Sequence, residues 1–335
     1  MDTRLQALKD WLNRDLELHF SDLRPASTDA SFRRYFRIRH HGETYIVMDA
    51  PPDREDLKPF LVMAWTLRDI GVSVPQVLEV DQERGYLLLT DLGERLYLDA
   101  LDTNSVEHLY GDALDALELI QARGPRDESV LPPYDSALLQ REMALFTDWL
   151  LDRHLGLSLS AAERSMLSDT FASLERAALS QPRVCVHRDY HSRNLMVLEH
   201  DNPGVLDFQD AVVGPITYDL VSLLRDCYIA WPRTQVETWA LDYLRRPAVA
   251  ELAEDADEEQ WLRWFDLMGV QRHLKASGIF ARLFHRDGKD RYLADVPRTL
   301  RYIVDAASGH PETEPLAELV EARVLPAMER EPSRS

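Results

Sequence analysis

Residues 184–208 read VCVHRDYHSRNLMVLEHDNPGVLDF, and the fold class is most readily inferred from this segment. It contains three apolar, β-prone runs, which predict short strands at 184–186, 195–198 and 205–208. Residues 201–204 separate the last two runs, and the Asn-Pro-Gly they contain is typical of a turn. Polar side chains therefore lie where the predicted strands begin or end, which is where binding and catalytic groups are commonly found.

Four polar residues of this stretch have the types and spacing that phosphoryl transfer requires. They are His187, Asp189, Asn194 and Asp207, with Phe208 after the last of them. Transfer of a γ-phosphoryl group needs an acceptor for the hydroxyl proton and oxygen ligands for Mg²⁺. We therefore predict Asp189 as the catalytic base and Asn194 and Asp207 as Mg²⁺ ligands, with ATP as the donor. His187 is expected to brace the loop.

Three further segments extend the pattern over nearly the whole chain, namely residues 29–37, 47–52 and 278–289. With them, the chain resembles the aminoglycoside-phosphotransferase branch of the protein-kinase-like superfamily, and within it the bacterial kinases of cell-wall amino sugars. The resemblance implies an α+β, two-lobed protein-kinase-like fold, with a small antiparallel-sheet N-lobe and a larger, mostly helical C-lobe. We assign the nucleotide-binding lobe to residues 1–91 and the catalytic and substrate lobe to residues 92–335.

The same resemblance implies ATP-dependent phosphorylation of the anomeric hydroxyl of N-acetylmuramate and N-acetylglucosamine, a step that feeds peptidoglycan precursor recycling. A kinase of aminoglycosides or of other small-molecule hydroxyls is the alternative enzyme, because a cationic substrate would suit an acidic protein. A protein kinase is disfavoured, since no Ala-Pro-Glu follows Asp207. The alternative from another class is a non-catalytic nucleotide-binding regulator.

The nucleotide-binding end departs from the protein-kinase pattern. Residues 27–32 carry small polar residues where glycines would be, and Met48 stands where the resemblance implies a phosphate-binding Lys. An acid-free run nearby contains Arg33, Arg34 and Arg37. Because the guanidinium fork matches phosphate geometry, we predict that at least one of them contacts ATP. The competing interpretation is an edge strand protected by charge.

The strand that ends at residue 90 is implied by the resemblance to offer backbone groups to adenine. Leu89 on this strand and Asp91 in the hinge that follows complete the predicted nucleotide site. Asp219 is implied to be a structural support behind the active site, together with His187. No side-chain recognition of adenine is expected.

Substrate contacts are predicted for five side chains on segments expected to face the cleft: Glu142, Asp210, Arg225, Tyr228 and Trp231. The aromatic pair could stack on a sugar ring, although aromatics on amphipathic helices more often belong to the core. A helical spacing also aligns Arg272, Lys275, Arg282 and Arg286 on one basic face. That face either meets an anionic substrate or is a solvated surface.

Composition restricts the partners of the chain. Its 335 residues carry a formal net charge of −20, which disfavours nucleic acid and anionic membranes as partners, because both need basic surfaces. Two cysteines are too few for a disulfide framework. The charged first residues do not resemble a secretory signal, and no apolar run is long enough to span a bilayer. We expect a cytoplasmic monomer that binds ATP and a small amino sugar.

Hydrophobic spacing predicts the remaining elements. Helices are expected at 3–18, 53–70, 105–121, 136–155, 160–179, 218–230 and 261–286. Strands within 23–48, at 76–80 and at 86–90 are expected to form the small antiparallel sheet, with turns at 41–42 and 82–85. Ser160, followed three residues later by Glu163, predicts a capping box.

Overall fold

The computed structural model describes residues 2–26, 32–254 and 256–330. The chain forms two compact units, Met1–Ala100 with Asn194–Asp210 and Leu101–Arg193 with Ala211–Ser335. Residues 194–210 thus group with the N-terminal residues, and a lobe boundary after residue 91 stays a prediction. The loop predicted to replace the glycine-rich loop, residues 27–32, lies outside the described residues except for Phe32.

Short strands alternate with longer helices along the chain. The strands are β1 (Ser21–Pro25), β2 (Arg34–His40), β3 (Glu43–Asp49), β4 (Val77–Asp81), β5 (Tyr86–Thr90), β6 (Arg183–Val186), β7 (Leu195–Met196), β8 (Gly204–Val205) and β9 (Val212–Pro215). The helices are α1 (Thr3–Asp10), α2 (Lys58–Asp69), α3 (Tyr97–Ala100), α4 (Val106–Arg123), α5 (Ser136–Leu145), α6 (Ala161–Leu179), α7 (Tyr218–Leu224), α8 (Arg233–Leu244), α9 (Pro247–Leu252), α10 (Glu258–Asp287), α11 (Val296–Ala307), α12 (Glu314–Leu319) and α13 (Leu325–Arg330). Wider π-type turns continue α1 through Trp11–Asp15 and α5 through Phe146–His154.

The first unit is built on a five-stranded antiparallel sheet in the order β1-β2-β3-β5-β4. The β2–β3 hairpin turns at His41 and Gly42, whose φ values of 49° and 92° lie in the left-handed region that Gly adopts readily. Gly85, with φ 75°, closes the β4–β5 turn, where a side chain would overlap the carbonyl oxygen of Ala50. The predicted sheet and both of its turns are confirmed.

Helix α1 packs its leucine stripe against this sheet, which gives the first unit its core. The buried members are Leu8, Trp11, Leu12, Phe36, Ile38, Val47, Tyr86 and Leu88. Arg4 of the helix and Arg34 of β2 both reach the buried carboxylate of Asp49, at 2.6 and 2.5 Å. This shared carboxylate ties the N-terminal helix to the sheet.

Helix α2 begins at Lys58 and not at residue 53, so our prediction of its start was wrong. The N–H groups of Arg54 and Glu55 both donate to the carbonyl of Pro51, at 2.9 Å each, and close a turn. The carboxylate of Asp56 then accepts the N–H of Lys58 at 2.9 Å. A side chain that satisfies the first helical N–H groups fixes where a helix starts.

The β7–β8 hairpin belongs to the first unit. The N–H of Val205 donates to the carbonyl of Ser73 at 2.7 Å, and that of Val197 donates to Arg95 at 2.9 Å. Both strands are shorter than the runs we predicted at 195–198 and 205–208. The second one ends early because Asp207 has a φ of 63°, which no β-strand accommodates.

Most of the predicted helices of the second unit are confirmed, namely α4, α5 with its continuation, α6 and α10. The capping box is present: Ser160 Oγ accepts the N–H of Glu163, and the Glu163 carboxylate accepts the N–H of Ser160 at 2.7 Å. Helices α8, α9 and α11–α13 are additions that the sequence-based prediction did not include. Within the described ranges, no helix is both long enough and apolar enough to cross a membrane.

Helix α10 is the central element of the second unit. It runs for 30 residues and packs against α5, α6, α7, α8 and α11. At Gly278 it crosses the end of α5 so closely that a Cβ would overlap the backbone carbonyl of Leu145. Only glycine permits this approach, which explains its presence in a helix interior where it is otherwise unfavourable.

A two-stranded sheet, β6 with β9, carries the stretch that leads into the functional loop. Its register runs from Arg183 opposite Pro215 to Val186 opposite Val212. The sequence-based prediction did not include β9. Helix α7 also ends at Leu224 and not at residue 230 as predicted. The buried Asp226 carboxylate accepts the N–H of Tyr228 at 3.0 Å, which favours a turn over further helix.

Candidate active site

The loop that follows β6 is held by one buried carboxylate from the start of α7. Asp219 accepts the N–H of His187 at 2.6 Å and the N–H of Arg188 at 2.9 Å, one on each oxygen. Arg188 has a φ of 77°, a conformation that is uncommon outside glycine. The two hydrogen bonds therefore fix the backbone directly before Asp189, and this placement supports a structural role for Asp219.

Further contacts hold the loop on either side of Asp189. The N–H of Asp189 donates to Nδ1 of His187 at 3.3 Å, and His187 is buried with its ring edge-on to Tyr190. Ser192 donates both its N–H (3.0 Å) and its hydroxyl (2.5 Å) to the carboxylate of Asp226. These contacts are compatible with the bracing role predicted for His187, which stays a prediction, and Asp226 holds the loop through contacts that the sequence did not reveal.

Asp189 lies among basic side chains. Burial acts to raise the pKa of its carboxyl, but Lys275, His191, Arg188 and Arg272 act in the opposite direction and hold that pKa at about 2. The carboxylate is consequently ionised throughout the neutral range. In this state it accepts a hydrogen bond from a hydroxyl readily, although it is a weak base.

Glu142, one of the predicted substrate residues, is the anionic centre of a buried network. Its carboxylate accepts hydrogen bonds from Arg188 at 2.5 Å and from the hydroxyl of Tyr134. It also forms an ion pair with Lys275 at 3.1 Å. Burial acts to raise the pKa of Glu142, but the charges of Lys275 and Arg188 lower it below its usual range. Because both oxygens have protein partners, the geometry favours a positioning role for Glu142, which orients two cations beside Asp189.

A pocket of about 90 Å³ opens beside Asp189, and every residue that lines it belongs to the second unit. Its polar lining combines one carboxylate with two cations, and its walls are aromatic and aliphatic. The lining includes Asp189, His191, Tyr228, Arg272, Lys275 and Phe280. Tyr228 is the one predicted substrate residue that the structure places in this pocket with Asp189.

The aromatic side of the pocket is built from loop and turn residues. The guanidinium of Arg193 lies over the ring of Tyr228, 3.7 Å from its centroid, and the ring of His191 meets Tyr228 edge-on at 5.4 Å. Burial lowers the pKa of His191, which disfavours the protonated form of the imidazole. Its buried Nδ1 has no hydrogen-bond partner in the described part of the chain. We did not single out His191 from the sequence, although its place two residues after Asp189 was a usable signal.

The basic face predicted on α10 is not a solvated surface. Arg272 and Lys275 are only 5% and 8% exposed, and both line the pocket. Lys275 donates to the hydroxyl of Tyr218 at 2.9 Å and pairs with Glu142. Farther along the helix, Arg286 has a side chain that is 53% exposed and pairs with its neighbour Asp287. These predicted cations thus differ in burial: Arg272 and Lys275 are buried at the pocket, whereas Arg286 is exposed.

The other predicted substrate residues do not line the Asp189 pocket. Arg225 is buried, with its guanidinium 5.2 Å from the ring centroid of Tyr302. The indole N–H of Trp231 donates to the hydroxyl of Tyr110 at 3.1 Å, within an aromatic cluster. Asp210 is exposed and belongs to the first unit. A sugar-binding role for these residues stays a prediction.

The two predicted metal ligands meet at one end of the β7–β8 hairpin. Leu195 pairs with Val205, and the carbonyl of Asn194 accepts the N–H of Leu206 at 2.9 Å. Asn194 therefore lies opposite the residue that precedes Asp207. The carboxylate of Asp207 is exposed and accepts the side-chain N–H of Gln209 at 2.6 Å.

This donor set fits Mg²⁺. An exposed carboxylate and an amide are hard oxygen donors, and Mg²⁺ is usually bound by few protein ligands that leave places for water and phosphate oxygens. Among the described residues, no cluster of three or more His, Cys, Asp or Glu side chains is arranged to hold a metal. An ion at Asn194 and Asp207 would therefore take its other ligands from nucleotide and water.

The three arginines predicted to contact phosphate all form ion pairs with carboxylates in the first unit. Arg33 pairs with Glu55 at 3.0 Å, Arg34 pairs with Asp49 at 2.5 Å and with Asp2, and Arg37 pairs with Asp91. Met48, where a Lys was expected, is fully buried in β3. Arg34 and Arg37 thus pair with buried carboxylates, whereas the partner of Arg33 is the more exposed Glu55.

Arg37 also stabilises the segment predicted as the hinge. Its Nε and Nη2 reach both oxygens of Asp91, at 2.5 and 2.9 Å, and Nη2 also donates to the carbonyl of Gly93 at 2.6 Å. Leu89 is buried on β5, which has a partner strand on each edge. The first backbone groups beyond the sheet are therefore those of residues 91–93.

Comparison with known families identifies the type of protein. The phosphotransferase enzyme family (APH) matches residues 22–265. A protein of Pseudomonas putida named N-acetylmuramate/N-acetylglucosamine kinase is 46% identical over 329 residues, which cover 95% of this chain and 96% of the relative. A protein of Pseudomonas aeruginosa with the same name is 47% identical over 95% of this chain and 96% of its own length.

The fold has solved counterparts as well. The structure of the choline kinase LicA from Streptococcus pneumoniae superposes with a TM-score of 0.64, at 13% sequence identity, and covers 91% of this chain and 100% of that one. At this identity the match concerns the fold alone. It confirms the protein-kinase-like architecture that the resemblance implied.

Proposed function

This chain belongs to the phosphotransferase enzyme family, and from that premise we propose that it transfers the γ-phosphoryl group of ATP to the anomeric hydroxyl of N-acetylmuramate and N-acetylglucosamine. The product would feed the recycling of peptidoglycan precursors. The observation that carries the proposal is similarity along nearly the entire chain to kinases named for these two sugars. Because the donor is ATP, we assign the reaction to the cytoplasm.

Asp189 is the residue that we propose to receive the sugar hydroxyl. The O–H bond breaks as the new O–P bond forms, the proton passes to the Asp189 carboxylate, and the bond from the γ-phosphorus to the β-phosphate oxygen breaks to release ADP. With a pKa of about 2, Asp189 orients the hydroxyl first and accepts its proton late. An anomeric hydroxyl is more acidic than an ordinary alcohol, so a weak base suffices.

The chain's own residues account for the positioning. The Asp219 hydrogen bonds hold the backbone before Asp189, and Glu142 pairs with Arg188 and Lys275, two cations that act on the Asp189 carboxylate. Positioning of this kind supplies much of the rate in phosphoryl transfer, where little covalent chemistry falls to the protein. Asn194 and Asp207 would hold Mg²⁺, which neutralises charge on the phosphates when bound.

ATP binding is proposed for the first unit. Arg33 would reach the phosphates, since its partner Glu55 is more exposed, with 14% of its side chain accessible, than the carboxylates of Asp49 (0%) and Asp91 (4%) that hold Arg34 and Arg37. The adenine would be recognised through backbone groups next to Leu89 and Asp91. The resulting contacts involve no base-specific side chain.

A coupled assay of ADP release tests the proposal, with N-acetylmuramate, N-acetylglucosamine, free glucosamine and an aminoglycoside as acceptors. We expect turnover with the two N-acetylated sugars and none with the cationic acceptors, because two buried cations line the pocket beside Asp189. Phosphorus NMR then identifies the position. An anomeric phosphate couples to H1 and is labile to mild acid, whereas a stable product coupled to two H6 protons, or turnover of the aminoglycoside alone, would overturn the proposal.

A further inference from the structure

Arg272 is a buried cation whose hydrogen-bonding capacity is not used up by the protein. Arg272 lies on α10 and is only 5% exposed. Its Nε and Nη1 atoms have no hydrogen-bond partner in the described ranges. The thiol of Cys227 hydrogen-bonds to the side chain, but sulfur is a weak partner. Leaving charged N–H groups buried without acceptors is unfavourable, so a ligand that supplies an acceptor would be bound strongly.

The location of Arg272 restricts what that ligand is. Arg272 and Asp189 line the same small pocket, so a group bound by the guanidinium lies on the molecule whose hydroxyl Asp189 would receive. Lys275, the other cation of the pocket, is already engaged by Glu142 at 3.1 Å and Tyr218 at 2.9 Å. Arg272 is therefore the pocket cation best able to take an anionic group of the substrate.

We propose that Arg272 binds the lactyl carboxylate of N-acetylmuramate and thereby sets the preference of the enzyme between its two sugars. The inference rests on the proposed function, and it concerns the one group that distinguishes the two sugars. Muramate carries a carboxylate on the ether at its O3, where glucosamine has only a hydroxyl. A guanidinium binds a carboxylate through a fork of parallel hydrogen bonds, which a hydroxyl cannot reproduce.

The phosphoryl group in transit is the other anion that Arg272 could meet. A contact of that kind would serve both sugars alike, whereas a carboxylate contact serves muramate alone. The two are separated by comparing N-acetylmuramate with its neutral lactyl amide, because these acceptors differ only at the group that we assign to Arg272.

The experiment measures kcat and KM for N-acetylmuramate, its lactyl amide and N-acetylglucosamine with the full chain and three variants. The wild type should prefer the acid over the amide by about 10- to 100-fold in kcat/KM, the range for a hydrogen-bonded charge pair. Arg272→Gln should abolish this preference, mainly through the KM for muramate, and Arg272→Lys should restore part of it. Arg286→Gln, an exposed arginine of the same helix, is the matched control and should retain the wild-type preference.

Three results would overturn the inference: equal use of acid and amide by the wild type, a preference that persists in Arg272→Gln, or an equal loss for all three acceptors in a variant that melts like the wild type. If Arg272→Gln does not fold, the inference is still tested by the preference for acid over amide in the wild type and in Arg272→Lys. Absence of turnover with any of the sugars would instead count against the proposed function, so the two failures are distinguishable.

Discussion

Asp219 accepts the backbone N–H of Arg188 at 2.9 Å, and Arg188 holds a φ of 77° directly before Asp189. A non-glycine residue in this conformation stores roughly 1–3 kcal/mol and persists only when its surroundings impose it. The buried carboxylate of Asp219 is the group that imposes it. The hydrogen bond between these two residues fixes the backbone before Asp189 and thereby orients its side chain.

We therefore expect Asp219→Asn to lower kcat while changing the KM for sugar little, because the amide leaves one backbone N–H without an acceptor. The unfolding free energy should fall by about 1–3 kcal/mol, the cost of a buried donor without a partner. Denaturant unfolding and steady-state kinetics measure both effects. Asp242→Asn, which alters an exposed carboxylate paired with Arg245, should change neither quantity. Unchanged kcat in Asp219→Asn would show that the loop does not need this support.

Asp189→Asn should lower kcat by ~10²–10⁴-fold, the usual contribution of a positioned acid–base group. The variant should fold and bind ATP like the wild type, because the amide preserves shape, although its melting temperature should fall because the negative charge that faces Lys275 and Arg272 is lost. Turnover of ATP with N-acetylglucosamine and nucleotide binding by calorimetry separate chemistry from binding. Near-normal turnover would remove Asp189 from the mechanism.

Asn194→Ala and Asp207→Ala should each shift the Mg²⁺ dependence of activity to higher concentrations, with the larger shift for Asp207→Ala. Losing the carboxylate removes a full charge from the ion's surroundings, whereas losing the amide removes a dipole. Mg²⁺ titrations at saturating ATP measure the shift. Asp201→Asn, at the turn end of the same hairpin, is the control. Identical Mg²⁺ curves for the wild type and both alanine variants would exclude these ligands.

Replacements of Arg33, Arg34 and Arg37 should differ in whether they affect ATP kinetics or stability. Arg33→Ala should lower kcat/KM for ATP by a factor that corresponds to about 2–4 kcal/mol of transition-state stabilisation. This is the loss expected when a preorganised charge on the phosphates is removed. Arg34→Ala and Arg37→Ala should instead lower stability, since each leaves the buried carboxylate of Asp49 or Asp91 with one partner fewer. ATP kinetics and thermal unfolding, measured side by side, test the assignment. Normal ATP kinetics in Arg33→Ala would make Arg33 a structural residue as well.

Glu142→Gln should destabilise the protein in a pH-dependent manner. The Lys275 and Arg188 charges depress the pKa of Glu142 against the effect of burial, so its ionised form contributes stability above its unfolded pKa of about 4.3. That contribution is lost as the pH falls through the folded pKa. At pH 7 the unfolding free energy of the variant should be about 3–5 kcal/mol below that of the wild type. This difference in unfolding free energy should narrow below pH 4.

Urea unfolding at pH 7 and at pH 3.5 measures this gap. Glu258→Gln, which breaks an exposed pair with Arg245, should stay within about 0.5 kcal/mol of the wild type at both pH values. A gap that is the same at both pH values would mean that the charge of Glu142 does not matter.

The sequence predicted the features that depend on local pattern. The β2–β3 hairpin, the capping box at Ser160 and the spacing from His187 to Asp207 each follow from residues close together in the chain. The start of α2 and the end of α7 were wrong, because Asp56 and Asp226 direct their carboxylates to nearby backbone N–H groups. Such competition between side chain and helix is difficult to recognise from periodicity alone.

The composition of the pocket could not be predicted, because it depends on packing between distant segments. Arg272 and Arg286 look alike in sequence, yet the crossing of α10 with its neighbours buries the first and leaves the second exposed. Glu142 was assigned to substrate, and its burial beneath Arg188 and Lys275 became visible only in three dimensions. Strand β9 likewise exists through its pairing with β6, not through its own residues.

The close crossing at Gly278 couples the positions of three pocket side chains to a residue outside the pocket. Arg272, Lys275 and Phe280 all reach the pocket from within two turns of the point where α10 touches the backbone of Leu145. Any side chain at position 278 must displace the helix, and these three side chains would then move together. The shape of the pocket thus depends on a residue that does not line it, and glycine at position 278 preserves that shape.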